Sequence, residues 1–363
     1  LDNDGTSLPP PPPPPPPGIP PPPPPGVPPP PPGPRPPGLI GYQQFGVGTG
    51  AGGSPIATRH NPNGSEQFSI TAFDPAFTGG VRMAAADFNR DGVADLVVGT
   101  GPGAPARVRV LDGVTQAVLF DSPVLDGFTG GVFVAAGDLT GDGRADLVIT
   151  PDEGGGPRVV VLRGGDFAPV ASFFGIDDPN FRGGARAALG DLNGDGRVDL
   201  VVAAGFGGGP RVAAFDGRTV GVSSNPAKLF GDIFVFETTL RNGVYAAVGD
   251  IDGDGFADLV AGAGPGGGPR VLTLSGRDLV NGLGNGAKVL TNFFGGDPAN
   301  RGGIRVAVKD LDSDARADLV VGAGTGGGSR VTAYAGKDFA GSDAPELFGF
   351  DAFPGFTGGV FVG

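Results

Sequence analysis

The chain has 363 residues, a formal net charge of −13, one histidine and no cysteine. That charge excludes nucleic-acid binding by phosphate neutralisation. The missing cysteine excludes a disulfide framework, thiolate metal sites and a cysteine nucleophile. Glycine, at 72, and proline, at 40, together make up roughly a third of the residues, the level of a low-complexity chain. The glycines nevertheless recur periodically between apolar runs, which points to an all-β repeat protein with many tight turns. No apolar run reaches the roughly 18 residues of a membrane span.

In chain order, residues 1–8 read as a partial acidic loop. Leu1-Asp2-Asn3-Asp4-Gly5 matches the middle of the loops described below, but Leu8 stands where the last aspartate belongs. Opening at Leu1, with neither Met nor a signal-like apolar segment, reads as a mature or excised product. Residues 9–38 are mostly proline, which fixes φ and lacks an amide donor. They are expected to form a polyproline II stalk of about 3.1 Å per residue, on the order of 90 Å extended. A semi-rigid spacer and a strand that docks on another subunit are both open readings of it.

From residue 39 to 363 the expected fold is a six-bladed β-propeller of four-stranded antiparallel blades. Its closing blade is shared by residues 41–75 and 356–363. Phe45 to Pro55 matches the second strand and Gly-rich turn of a repeat, with further strands expected near Ile56–Thr58 and Phe68–Phe73. His60, in Arg59-His60-Asn61-Pro62-Asn63-Gly64, is expected to be an exposed loop residue. Five units follow, with a period of about 50 to 60 residues. Each reads as an alternating run (Val244 to Val248), an acidic loop and an apolar strand (Asp199 to Val202). A Gly-rich turn (Gly264 to Pro269), a third strand (Arg270 to Leu274) and an aromatic fourth strand (Ala171 to Gly175) complete the unit. The sequence from Phe356 to Val362 matches the opening of a unit, so it supplies the strand that the first repeat lacks and leaves no open edge.

The acidic loops share the pattern D-x-[DNT]-x-D-[GA]-x-x-D. Positions one, three, five and nine are Asp87, Asn89, Asp91 and Asp95 in loop one. In loop two they are Asp138, Thr140, Asp142 and Asp146, and in loop three Asp191, Asn193, Asp195 and Asp199. Loop four has Asp250, Asp252, Asp254 and Asp258, and loop five Asp310, Asp312, Asp314 and Asp318. Side chains at one, three and five turn to one centre, and glycine at six permits a positive-φ reversal. The position-seven carbonyl, of Val93, Arg144, Arg197, Phe256 or Arg316, can add a ligand, and the aspartate at nine closes the shell. Carboxylates packed this closely repel unless a cation sits between them, and calcium, about five ions, is the expected cofactor. An EF-hand would need a bidentate Glu at position twelve, where Val98, Ile149 and Val202 stand. Ala315 replaces the position-six glycine in loop five, making that site the strained one.

The loops, the D-L-V-V strand after them, the Gly262 to Pro265 turn and the Phe174-Gly175 and Phe294-Gly295 pairs resemble the FG-GAP/VCBS repeats of integrin α-subunit-like propellers. The resemblance covers roughly residues 41–363. It implies calcium in the hairpin loop between the first and second strands of each blade, with the Gly-rich turns on the opposite face. It departs in the proline segment, in Ala315 and in having six blades where integrins have seven. The function it implies is a non-catalytic, extracellular or cell-surface adhesive or structural module that binds an extracellular protein or glycan. A head-to-tail filament of the chain itself, linked through the proline segment, is a further reading.

A carbohydrate-binding, lectin-like propeller is the alternative. Tryptophan is absent, tyrosine numbers three, and the phenylalanines fall at strand positions expected to be core. No nucleophile–base pair is evident, so no enzyme is expected. The arginines after the Gly-rich turns, Arg107, Arg158, Arg211, Arg270 and Arg330, could line a ring for acidic ligands or pair with carboxylates at the blade edges.

Overall fold

The computed structural model describes residues 44–363 apart from Ala340 and Asp343. The acidic remnant at 1–8 and the proline segment at 9–38 lie outside the described residues. The described chain opens with β1 (Phe45–Thr49), β2 (Ile56–His60) and β3 (Glu66–Thr71). Blade one is β4 (Val81–Ala86), β5 (Asp95–Thr100), β6 (Arg107–Leu111) and β7 (Val118–Pro123). Blade two is β8 (Val132–Gly137), β9 (Asp146–Pro151), β10 (Arg158–Leu162) and β11 (Pro169–Phe174). Blade three is β12 (Ala185–Gly190), β13 (Asp199–Ala204), β14 (Arg211–Phe215) and β15 (Lys228–Phe234). Blade four is β16 (Val244–Gly249), β17 (Asp258–Ala263), β18 (Arg270–Leu274) and β19 (Val289–Phe294). Blade five is β20 (Ile304–Lys309), β21 (Asp318–Ala323), β22 (Arg330–Tyr334) and β23 (Glu346–Asp351), and β24 (Val360–Val362) follows.

The sixth sheet has the order β24-β1-β2-β3, so the expected closing blade is shared between distant parts of the chain. β1 and β24 pair antiparallel, Val47 opposite Val362, and Gly46 N donates to the Gly363 carbonyl at 2.7 Å. The innermost strands β4, β8, β12, β16, β20 and β24 pack in sequence and close a ring.

Burial explains the strand sequences. The second strand of each full blade is covered on both faces, so β5, β9, β13 and β17 are buried at every position and read as near-continuous apolar runs. Outermost strands such as β3 and β23 alternate between exposed and partly covered residues, giving the period of two. Neighbouring blades pack face to face, as where Met83, Leu96 and Val98 join one apolar cluster with Ala57. Gly46 and Gly48 in β1 permit this contact. A Cβ at Gly46 would lie 2.9 Å from Leu96 Cδ1, and one at Gly48 2.6 Å from Val81 Cγ2.

Two expectations need correction. His60 is not an exposed loop residue: β2 extends through it, the turn begins at Asn61, and the side chain is 2% exposed. Its ring stacks on Phe45 at 5.3 Å and sits between the Thr58 hydroxyl, at 2.8 Å, and the Gly64 carbonyl, at 3.0 Å. Burial holds its pKa below the ordinary value. The phenylalanines, likewise, are not all core. Phe45, Phe88 and Phe215 are buried, whereas Phe174, Phe206, Phe234 and Phe294 are between 42% and 52% exposed. Phe174, Phe234 and Phe294 each close an outermost strand, where no further blade surface covers them.

Removing residues 357–363 takes away β24 and leaves the inner edge of β1 unpaired. The truncated chain is expected to aggregate, read by light scattering and gel filtration. A monomeric truncation with an unchanged melting curve would contradict the closing role of β24.

Candidate functional site

Each acidic loop joins the innermost strand of a blade to the second, and all five therefore lie at the same ends of their strands. Position one is the hub. Asp250 accepts from the amides of Gly253 at 2.8 Å, Asp254 at 3.1 Å and Gly255 at 3.0 Å. Asp87 accepts from Arg90, Asp91 and Gly92, Asp138 from Asp142 and Gly143, and Asp191 from Asp195 and Gly196. Position three adds a second cap: Asn89 accepts from the Asp91 amide, Asn193 from that of Asp195 and Asp312 from that of Asp314. The position-five carboxylate accepts from the position-seven amide, of Val93, Arg144, Arg197, Phe256 or Arg316, at 2.8 to 3.0 Å. These bonds pull the loop into one tight turn around the position-one carboxylate. In loop two the Thr140 hydroxyl instead bonds the Asp146 carboxylate at 3.3 Å.

Carboxylate oxygens of Asp250, Asp252 and Asp254, and of Asp310, Asp312 and Asp314, lie within 4.8 Å of one another. Asp252 Oδ1 is buried with no hydrogen-bond partner. A buried, unmatched oxygen on a carboxylate grouped with two others is costly unless a cation meets it. The donor set of loop four thus fits a hard cation with oxygen ligands.

The aspartate at position nine is the first residue of the second strand and has another structural task. Asp95, Asp146, Asp199, Asp258 and Asp318 are all 0% exposed. One oxygen accepts from an amide near the start of the loop, as from Phe88 to Asp95 at 2.8 Å and from Ile251 to Asp258 at 2.9 Å. The other accepts from a glycine in the turn after the third strand: Gly113, Gly164, Gly217, Gly276 or Gly336, at 2.8 to 2.9 Å. Each carboxylate oxygen keeps a second lone pair. Burial pushes the pKa of Asp95 and Asp318 up to about 6, Asp199 to about 7 and Asp258 to about 8, and raises that of Asp146. Burial likewise raises Asp191 and Asp250.

The loops are also tied to one another around the ring, which spacing alone did not reveal. The position-eight amides of Ala145, Ala257 and Ala317 donate to the carbonyls of Asp87, Asp191 and Asp250 in the preceding loop, at 3.1, 2.8 and 2.7 Å. Two position-seven side chains reach the same way: Arg144 donates to the Phe88 carbonyl at 3.2 Å and Arg197 to that of Thr140 at 2.6 Å. Basic side chains from the later turn meet the position-five carboxylates, Arg218 with Asp195 at 3.0 Å and Arg277 with Asp254 at 3.1 Å. Lys337 pairs with both Asp312 and Asp314 in loop five.

Four of the arginines after the Gly-rich turns have partners on their own outermost strand or, for Arg270, also on the connection from the preceding blade. Arg107 pairs with Asp121 at 2.5 Å, Arg211 with Asp232, and Arg270 with Glu237 at 2.7 Å, while Arg158 bonds the Ser172 hydroxyl at 2.7 Å.

The repeat architecture, with an acidic loop opening every second strand, is shared with known proteins. A family model of the FG-GAP-like repeat matches residues 138–202 and 191–261. Residues 138–261 thus carry FG-GAP-like repeats. Integrin alpha-V of Gallus gallus is 27% identical over 233 residues, 57% of this chain and 22% of that protein. Integrin alpha-7 of Rattus norvegicus is 30% identical over 163 residues, 41% of this chain and 14% of that protein. The chain spans about a fifth or less of the length of the curated relatives it matches. Among solved structures, rhamnogalacturonan lyase YesW aligns with a TM-score of 0.42 at 13% identity, covering 86% of this chain and 64% of that one.

The FG-GAP loops repeat one backbone conformation. Position six has φ of +83°, +85°, +82° and +87° at Gly92, Gly143, Gly196 and Gly255, and Ala315 is held at +81° in the same region. The strain expected of loop five is thus present in its backbone. Ala315→Gly is expected to stabilise the fold by about 1 kcal/mol. Chemical denaturation of the two proteins measures this, and an equal or lower midpoint for the variant would contradict it.

Proposed function

We propose that the chain is a non-catalytic, calcium-held propeller that serves outside the cell as an adhesive or structural module. The observation that carries this reading is the unpartnered Asp252 Oδ1 among the carboxylates of loop four. In each loop the side chains at positions one, three and five, the position-seven carbonyl and the position-nine aspartate would hold one Ca2+. The ion supplies the positive charge that the buried carboxylates lack. Carbonyl-to-amide bonds join loop one to loop two and loops three, four and five in series, so that the charge is shared between neighbouring loops rather than confined to one hairpin. The partner would be an extracellular protein or a glycan, consistent with the likeness to integrin α chains. Among the described residues no helix is long and apolar enough to cross a membrane. Self-association into a head-to-tail filament through residues 9–38 is the finer form of the proposal.

Ions that bind only the folded state stabilise it by about 2.7 kcal/mol per site at a hundredfold excess over Kd. Excess chelator is therefore expected to lower the melting temperature sharply, with recovery on adding calcium. Superimposable melting curves with chelator and with calcium would overturn the metal-held reading.

A second reading has its own support. A cleft of about 930 Å³ beside the outermost strand of blade two is lined by Phe174, Arg158, Ser172, Asp178, Arg182 and Asn225. An exposed aromatic ring flanked by such polar groups suits the face and hydroxyls of a sugar. A glycan array in calcium tests it: binding abolished by Phe174→Ala supports a carbohydrate site, and an array blank for the wild type removes it.

A further inference from the structure

The second residue of each innermost strand forms a ring around the axis, on the side of the Gly-rich turns. In order it reads Arg82, Phe133, Arg186, Tyr245, Arg305 and Phe361, arginine alternating with aromatic. The three aromatic centroids stand 6.0 to 6.2 Å apart, edge to face. Each guanidinium lies between two rings. Arg82 is 5.3 Å from Phe133 and 4.6 Å from Phe361, and Arg186 is 5.3 Å from Phe133 and 3.8 Å from Tyr245. Arg305 is 5.5 Å from Tyr245 and 4.7 Å from Phe361.

The arginines are only 5% to 6% exposed, and their charges are poorly matched. Nε of all three, and one terminal nitrogen of Arg186, are buried without a hydrogen-bond partner. Arg82 has an ion pair with Asp152. Asp152 stands at the head of the Gly-rich turn, where the other blades have Gly50, Gly101, Gly205, Gly264 and Gly324. Among the described residues no carboxylate pairs with Arg186 or Arg305. Cation–π stacking offsets part of the desolvation of a guanidinium but satisfies none of its in-plane N–H donors. Burial, with the neighbouring Arg82 and Arg186 charges adding to it, lowers the pKa of Arg305. The ring therefore holds two surplus positive charges in a chain that is otherwise strongly acidic.

We propose that this ring is a receptor for the carboxylates of an acidic ligand, which pair with Arg186 and Arg305 as Asp152 pairs with Arg82. The alternation gives the site its selectivity. With an aromatic ring on either side of each guanidinium, the in-plane N–H donors are what remains to meet a carboxylate, which a guanidinium binds with two of them. A cationic side chain is repelled, because the three guanidiniums already occupy the faces of the rings. The ring makes no use of the acidic loops, which lie at the opposite ends of the same strands, so the proposal is independent of the metal and adhesion readings. The carboxylates can come from a free dicarboxylate or from Asp and Glu side chains of a partner protein.

Isothermal titration of the full chain tests this with succinate, with a blocked tetraglutamate peptide and with neutral succinamide. The expected result is binding of a carboxylate probe and no binding of succinamide. Binding by succinate identifies the free acid as a sufficient ligand, and binding by the peptide alone identifies protein side chains. Arg186→Gln and Arg305→Gln are each expected to weaken binding by about tenfold or more. Because either change could unfold a blade, Asp152→Asn is the independent variant: freeing Arg82 adds a third receptor and tightens binding several-fold. The proposal is overturned if neither carboxylate probe binds, if folded arginine variants bind as the wild type does, or if Asp152→Asn leaves affinity unchanged.

Discussion

A carboxylate with no solvent exposure opens the second strand of every full blade, and the geometry of the acidic face is built on it. Asp258, for example, accepts from the Ile251 amide on one side and the Gly276 amide on the other, joining the acidic loop to the turn after the third strand. The same pair of bonds recurs at Asp95, Asp199 and Asp318. Two amide bonds to a charged acceptor are strong individually, but burial still pushes these carboxyls toward the neutral form. Burial thus makes the ionised form of these carboxyls costly, a cost that a positive charge nearby offsets.

The rest of the loop answers that demand. In loops four and five positions one, three and five bring three further carboxylates together, while backbone amides fix the turn around them. Without a cation, such a cluster is self-repelling; with one, every bond from the position-one aspartate to the loop amides works in the same direction. The amide-to-carbonyl ties between successive loops spread any ordering to the neighbouring blade. At the other ends of the same strands the imbalance has the opposite sign, with three buried guanidiniums and one paired carboxylate. The propeller carries unmet negative charge on one face and unmet positive charge near its axis on the other.

Much of the architecture was legible because repetition exposed it. The position of Phe45 to Thr49 as a second strand and of Val360 to Val362 as a first strand followed from matching each to complete units, and they pair as expected. His60 misled because its neighbours Asn61, Pro62 and Asn63 are turn formers, although the strand before them runs to His60, two residues beyond the expected Thr58. The exposed Phe174, Phe234 and Phe294 misled for a related reason: a strand position does not imply burial, because the last residue of an outermost strand has no neighbouring sheet. The loop-to-loop contacts of Arg144 and Arg197 leave no mark in the spacing, because a position-seven side chain reaches a carbonyl more than fifty residues earlier in the chain. The axial ring had a signal, the alternation of arginine and aromatic at one register position across six strands, that emerges only when the units are stacked rather than read in sequence.

Counting metal ions tests the central claim most directly. Native mass spectrometry of the chain, stripped with chelator and returned to calcium, is predicted to show successive ions up to one per acidic loop, about five, with one fewer when Asp250 and Asp252 are both replaced by Asn. A chain that takes up no calcium, or whose count is untouched by that double replacement, would contradict the account.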